Sequence, residues 1–160
     1  LLFMGQEFAQ LREWSEEREL DWFLLAEEEH QAVQNWMRDL LHLYKKNPAL
    51  YQDEQIWDGF EWINADDAYR SIFSFVRHSK NKKKNLLFVI NFTPMTWEDY
   101  RVGVPRRKQY KLILNSDDAK YGGTGKERAA VYKAVKQECD GRPFSFAYEL
   151  PPYGVAVFEF

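Results

Sequence analysis

The stretch from Glu7 to Trp22 holds the side chains best suited to chemistry: Glu7, Gln10, Arg12, Glu13, Trp14 and Trp22. Two indoles among carboxylates, an amide and a guanidinium suit the recognition of sugars, whose flat C–H faces stack on aromatic rings. The whole chain shares the bias, with 17% aromatic residues, among them six Trp, nine Tyr and twelve Phe. Aromatics also fill β-sandwich cores, and Trp14 and Trp22 could equally pack a loop onto its own scaffold. Glycoside chemistry would require two carboxylates held about 5–9 Å apart, and spacing alone marks no such pair.

Other chemistries find less support. No Gly-flanked Ser or Cys stands with a plausible His and Asp set, so acyl transfer is set aside. His30, His42 and His78 lack a second His or Cys at ligand spacing, so neither a metal site nor a cofactor is indicated. A helix cap, a helix surface and a strand surface are their expected places. The run "GGTGK" at 122–126 superficially resembles a phosphate loop, but Lys120 stands where the motif needs Gly and Glu127 where it needs Ser or Thr; a Gly-rich turn is the better reading. "NFT" at 91–93 fits a glycosylation sequon, yet Pro94 follows and the flanking apolar run reads as a strand end. "SKNKKKNL" reads as a solvated hairpin turn.

The 160 residues carry 22 Lys and Arg dispersed among 25 Asp and Glu, for a net charge of −3. That balance argues against nucleic acid as a partner. The one Cys, Cys139, cannot form an internal disulfide, and no secretory signal is visible, so a cytoplasmic location is expected. No apolar run approaches the roughly 20 residues that span a bilayer, so no membrane partner is expected.

The elements that must position the polar cluster read as follows. Residues 1–8 are apolar and stopped by Gly5, as in a short buried strand. Residues 9–29 form a long polar loop. From His30 onward Val33, Trp36, Met37, Leu40, Leu41 and Tyr44 recur at helical intervals, with Trp36 expected in the core, and Pro48 ends the helix. After Pro48 the period falls to 2, giving the candidate strands "FEWIN", "SIFSFVRH", "NLLFVINF", "DYRVGV", "YKLILN", "AAVYKAV", "PFSFAYEL" and "GVAVFEF". Short strands at this spacing without intervening helices predict a mainly β fold, an antiparallel β-sandwich over 49–160. Residues 1–48 form one βα unit. A single βα unit cannot cover both faces of its strand, so it is expected to belong to a larger parallel sheet or (β/α)₈ barrel. On such a barrel Glu7, Gln10, Arg12, Glu13 and Trp14 fall on the loop after a strand's C-terminal end, where functional groups collect.

The phrases "LLFMGQEFAQLREW", "LDWFLL", "HQAVQNWMRDLLHLY", "NPAL", "GFEWINADDAYRSIFSFVR", "VINFTPM", "YRVGVP", "ILNSDDAKYGG" and "LPPYGVAVF" resemble, in order, the C-terminal portion of 1,4-α-glucan branching enzymes of the α-amylase superfamily. Arg107 and Lys108, the segment 124–143 and Tyr153 depart from the family pattern. The resemblance implies a retaining transferase that cuts an α-1,4-glucan and moves the segment to a 6-hydroxyl. Its partners would be an α-glucan (amylose, glycogen or starch) and the remainder of the catalytic barrel. It implies that residues 1–48 are the last strand, loop and helix of a truncated (β/α)₈ barrel and that the catalytic Asp, Glu and Asp lie on earlier barrel strands, so this chain contains no catalytic residue and is inactive alone. Its first strand, lacking partners, is expected to be ordered only with the rest of the barrel. Glu7 matches the strand-eight Glu and not the acid/base. A non-catalytic starch- or glycogen-binding module, with Trp57, Trp62 or Trp97 on its surface, is the alternative, as is another member of the superfamily.

Overall fold

A computed structural model describes residues 3–160, in two compact units: 3–46 with 116–126, and 47–115 with 127–160.

The second unit is all β. Eight strands run β1 Phe60–Asp67, β2 Ile72–Arg77, β3 Leu86–Asn91, β4 Trp97–Val104, β5 Gln109–Asn115, β6 Val131–Lys133, β7 Phe144–Leu150 and β8 Val155–Glu159. Six form one sheet in the order β1-β2-β3-β8-β5-β6, and β4 pairs with β7 in a second. All pairings are antiparallel. Strand alternation explains the layering: Ile72, Ser74 and Val76 of β2 are buried while Phe73, Phe75 and Arg77 face away. The core draws Val89, Ala156 and Phe158 from the large sheet and Val102, Val104, Phe146 and Leu150 from the small one. β8 lies between β3 and β5 and is apolar on both faces, as a central strand must be.

Two of the sequence phrases acquire physical reasons here. In "NFTP", Asn91 is buried, and its Nδ2 donates to the carbonyls of Met95 and Pro151, both at 2.8 Å. Its Oδ1 accepts from the Thr93 N–H at 2.9 Å and hydroxyl at 2.7 Å, so every polar position of the amide is used at the end of β3. In "YRVGVP", a Cβ on Gly103 would fall 2.2 Å from the Cys139 carbonyl oxygen, so only glycine permits that approach.

The expected strand "AAVYKAV" shrinks to Val131–Lys133, with Val135 bridging separately to Ser145. β6 is an edge strand paired only with β5: Tyr132 and Ala134 turn to the core while Val131 and Val135 are exposed, so only one face of the segment is held.

The first unit is built around one helix, α1 Glu28–Lys46. Glu28 and Glu29 occupy its first turn and Lys45 and Lys46 its last, matching the helix dipole at both ends. The expected strand over 1–8 does not form among residues 3–8, and Leu1 and Leu2 lie outside the described residues. Gly5 takes φ 86°, Gln6–Phe8 make a 3₁₀ turn, and the N–H groups of Gln6, Phe8 and Gln10 bond back to Phe3 and Gly5. With no neighbouring strand, the backbone satisfies itself locally. The loop that follows is interrupted by a second 3₁₀ turn, Trp22–Ala26.

Trp36, expected in the core, is only half-buried. No residue of α1 is buried. The helix meets the 116–126 segment instead, where Trp36 sits edge-on to Tyr121 at 5.0 Å. Asp39 accepts the Lys120 ammonium at 2.8 Å and the Tyr121 hydroxyl at 2.5 Å. The Gly-rich run is a turn: Gly122 and Gly125 take positive φ, and a Cβ on Gly123 would strike the Asp117 backbone at 2.3 Å.

Candidate functional site

The loop between Gly5 and Asp21 folds back on its own two ends. Asp21 is buried, and its carboxylate receives the Arg12 guanidinium through both oxygens, with Nε to Oδ2 at 2.8 Å and a terminal nitrogen to Oδ1. Gln10 completes the closure: its Oε1 accepts the Asp21 N–H at 2.7 Å and its Nε2 donates to the Arg12 carbonyl at 2.8 Å. The hydrogen bond from Arg12 holds the Asp21 carboxyl below the ordinary carboxylate range, and the same bond raises the guanidinium.

This closure brings together Gln10, Arg12, Glu13 and Trp14, which line one groove of about 210 Å³ with Leu11 and Phe3. Trp14 is half-buried and stands edge-on to Phe3 at 5.5 Å. Glu13 is exposed, and its carbonyl accepts from Arg18 at 2.6 Å.

Glu7 and Trp22 lie apart from that groove. The Glu7 carboxylate accepts the Gly5 N–H at 3.1 Å and faces a hollow beside Met37 and Leu41 of α1. Trp22 lies against buried Phe8 at 5.2 Å and remains 47% exposed. His30 bonds the Phe8 carbonyl at 2.8 Å near the start of α1, and His42 is exposed on the helix. The groove's polar groups hold a loop, and its wall carries an indole and an exposed carboxylate, residue types able to stack on and hydrogen-bond a neutral polyol. Among the described residues no cluster of His, Cys, Asp or Glu could hold a metal.

The sandwich unit carries a second groove, of about 510 Å³, lined by Glu54, Ile56, Trp57, Phe60, Trp62 and Arg77 among others. Trp57 is 84% exposed and Trp62 47%. Trp62 belongs to an aromatic layer on the outer face of β1, β2 and β3, meeting Phe60 at 4.9 Å and Phe75 at 5.8 Å. Beside it Glu61 accepts from both His78 at 2.8 Å and Arg142 at 2.9 Å. Trp97 is placed differently, packed against the core with Arg70 near its ring.

Residues 62–160 match the family described as "Alpha amylase, C-terminal all-beta domain". The chain belongs to this family. The matched range runs from within β1 to the last residue and so holds the strands of the second unit, together with 116–126 of the first. Curated relatives extend the likeness across both units. A 1,4-alpha-glucan branching enzyme of Butyrivibrio fibrisolvens is 51% identical over 160 residues, all of this chain and 25% of that protein. One of Clostridium perfringens (strain SM101) is 41% identical over 99% of this chain and 24% of its own length. That of Bacillus subtilis (strain 168) is 39% identical over 98% of this chain and 25% of its own. The chain thus spans about a quarter of the length of these relatives. A crystal structure of a MUTB mutant soaked with trehalulose shares the fold at TM-score 0.50 and 15% identity, over 80% of this chain and 18% of that one.

Sequence reasoning missed Asp21 and the Glu61, His78 and Arg142 cluster. The first stood in the phrase "LDW" without its partner, because Arg12 lies nine positions away across irregular backbone and no helix or strand period links the two.

Proposed function

We propose that the chain is the C-terminal portion of a 1,4-α-glucan branching enzyme, residues 1–48 being the last βα unit of its catalytic barrel and 49–160 its all-beta domain. The whole protein cleaves an α-1,4-glucan with retention and transfers the released segment to a 6-hydroxyl, in the cytoplasm. The observation that carries this reading is the likeness to branching enzymes at up to 51% identity over the whole chain, across both units.

Within that enzyme the chain's part is support and substrate contact. The catalytic carboxylates belong to the rest of the barrel. Glu7 is spent on the backbone of its own turn, and the Gln10, Arg12, Glu13 and Trp14 groove forms a piece of the glucan-binding edge, with Trp22 beside the same loop. The amphipathic helix, none of whose residues is buried, offers its apolar stripe to the remainder of the barrel.

Iodine-stained amylose tests the proposal. The purified chain should leave the absorbance unchanged, whereas the longer protein containing it should shift it as branches form. A shift from the chain alone, or none from the longer protein, would overturn the reading.

The exposure of Trp57 and Trp62 beside one groove favours a second reading, glucan binding by the sandwich itself. In amylose-containing gels, retardation of the chain that is lost in Trp57→Ala and Trp62→Ala supports it, and free migration speaks for a purely supporting domain.

A further inference from the structure

We propose that Asp21 is a positioning residue for the glucan-binding edge, a proposal that rests on assigning the Glu13 and Trp14 groove to that edge. Asp21 does not line the groove. It acts through two residues that do, since Arg12 and Gln10 both reach it from the groove's wall. The Asp21 side chain is only 6% exposed while Arg12 is 57% exposed, so the carboxylate is the buried anchor and the guanidinium the strap laid over it.

Between these ends the segment carrying Glu13 and Trp14 is fixed otherwise by the edge contact of Trp14 with Phe3 at 5.5 Å and by bonds within itself. Its internal bonds are the Arg18 N–H to Ser15, the Glu17 N–H to the Ser15 hydroxyl, and Arg18 to the Glu13 carbonyl. None of these ties it to the 3₁₀ turns on either side. The fork from Arg12 and the two bonds of Gln10 therefore set where the backbone carries the Trp14 ring, against the edge of Phe3. A planar guanidinium on both carboxylate oxygens fixes direction as well as distance, which a point charge does not. Removing the cation leaves a buried carboxylate without compensation, and the loop must open for water to reach it.

The test uses the whole branching enzyme that carries this chain, with amylose as substrate. Trp14→Ala should raise KM about tenfold with kcat within about twofold, the signature of lost binding common to ground and transition states. Asp21→Asn should raise KM to a similar degree, and the double variant should be no worse than Trp14→Ala. Arg12→Lys, which keeps the charge and loses the fork, should fall between wild type and Asp21→Asn. The exchanged pair Arg12→Asp with Asp21→Arg should recover part of the loss. An unchanged KM in Asp21→Asn beside a raised KM in Trp14→Ala overturns the positioning role alone, as do losses that add in the double variant. An unchanged KM in Trp14→Ala overturns the glucan edge itself, and the positioning role with it. If Asp21→Asn fails to fold, Arg12→Lys decides, and KM equal to wild type in that variant overturns the proposal.

Discussion

The two units of this chain hold themselves together in opposite ways. The sandwich closes on apolar side chains: Val76, Leu87, Val89, Val102, Ala156 and Phe158 are wholly inaccessible, and the ring of Phe158 meets Tyr132, Phe146 and Tyr148 at 5.2–5.6 Å. The helical unit closes mainly on polar clasps, with Arg12 on Asp21, Lys120 and Tyr121 on Asp39, and His30 on the Phe8 carbonyl, while its buried apolar side chains among the described residues are Phe8 and Leu24 and no residue of its 19-residue helix is fully buried. One unit answers to the hydrophobic effect, whose contribution scales with area removed from water. The other answers to a few directional bonds, each modest in net effect. A sheet that covers its own face needs no help, whereas a strongly amphipathic helix with no buried residue is suited to packing on something more.

The sharpest break in that contrast would come from Phe158→Ala. Removing this ring should destabilise the sandwich by about 3–5 kcal/mol, read from chemical denaturation followed by near-ultraviolet circular dichroism. A cost near that of a surface substitution would show that the core is not what holds the unit. Asn91→Ala comes next. It leaves the carbonyls of Met95 and Pro151 and the Thr93 hydroxyl without their amide partner, at a cost of about 1–3 kcal/mol. The same denaturation curve should show it.

The helical unit should respond to acid through Asp39. Hydrogen bonds from Lys120 and Tyr121 hold the Asp39 carboxyl below its ordinary range, and burial with the Asp39 bond pushes the Tyr121 phenol up to about 12. A lowered carboxyl contributes stability that is in full above the ordinary value of about 4 and is lost as pH falls through the lowered value. Protection of the Lys120–Gly122 amides, measured as exchange relative to the intrinsic rate at each pH, should therefore fall on acidification below about pH 4, and Asp39→Asn should abolish that dependence. A wild-type profile that stays flat into strong acid would deny the clasp its role. The smallest effect belongs to Trp57→Ala: an 84% exposed side chain should change stability by less than about 0.5 kcal/mol, whatever it does to glucan affinity.

The same contrast governs what could be read in the sequence. Seven of the eight strands stand where period-2 alternation placed them, because each alternation had a core face to answer to, as Ile72, Ser74 and Val76 do. "AAVYKAV" was legible as a pattern and dwindled as a structure, since at the sheet edge it has a strand partner on one side alone, and only Tyr132 and Ala134 reach the core. α1 was legible from its stripe, but the burial of Trp36 was not, because burial depends on what lies against the stripe and periodicity does not encode that. The first eight residues carry a strand's composition, yet with Gly5 at φ 86° and no pairing neighbour among the described residues, no strand forms over 3–8 and Gln6–Phe8 make a 3₁₀ turn. At the candidate site, residue types pointed to Gln10, Arg12, Glu13 and Trp14, and the structure gathers these four around one groove. Glu7 and Trp22 shared the composition and not the place. Asp21, the residue on which the loop closes, had no local signal, for a contact across nine irregular positions has no period.

Native-state hydrogen exchange under rising denaturant tests the central claim most directly, that the sandwich is closed by its own core and the helix is not. Amides of Val76, Leu87 and Val157 should open only with global unfolding of the sandwich, and those of α1 should exchange at least about thirtyfold faster, with a shallower dependence on denaturant. Helix amides that share the protection and the slope of the sandwich would contradict it.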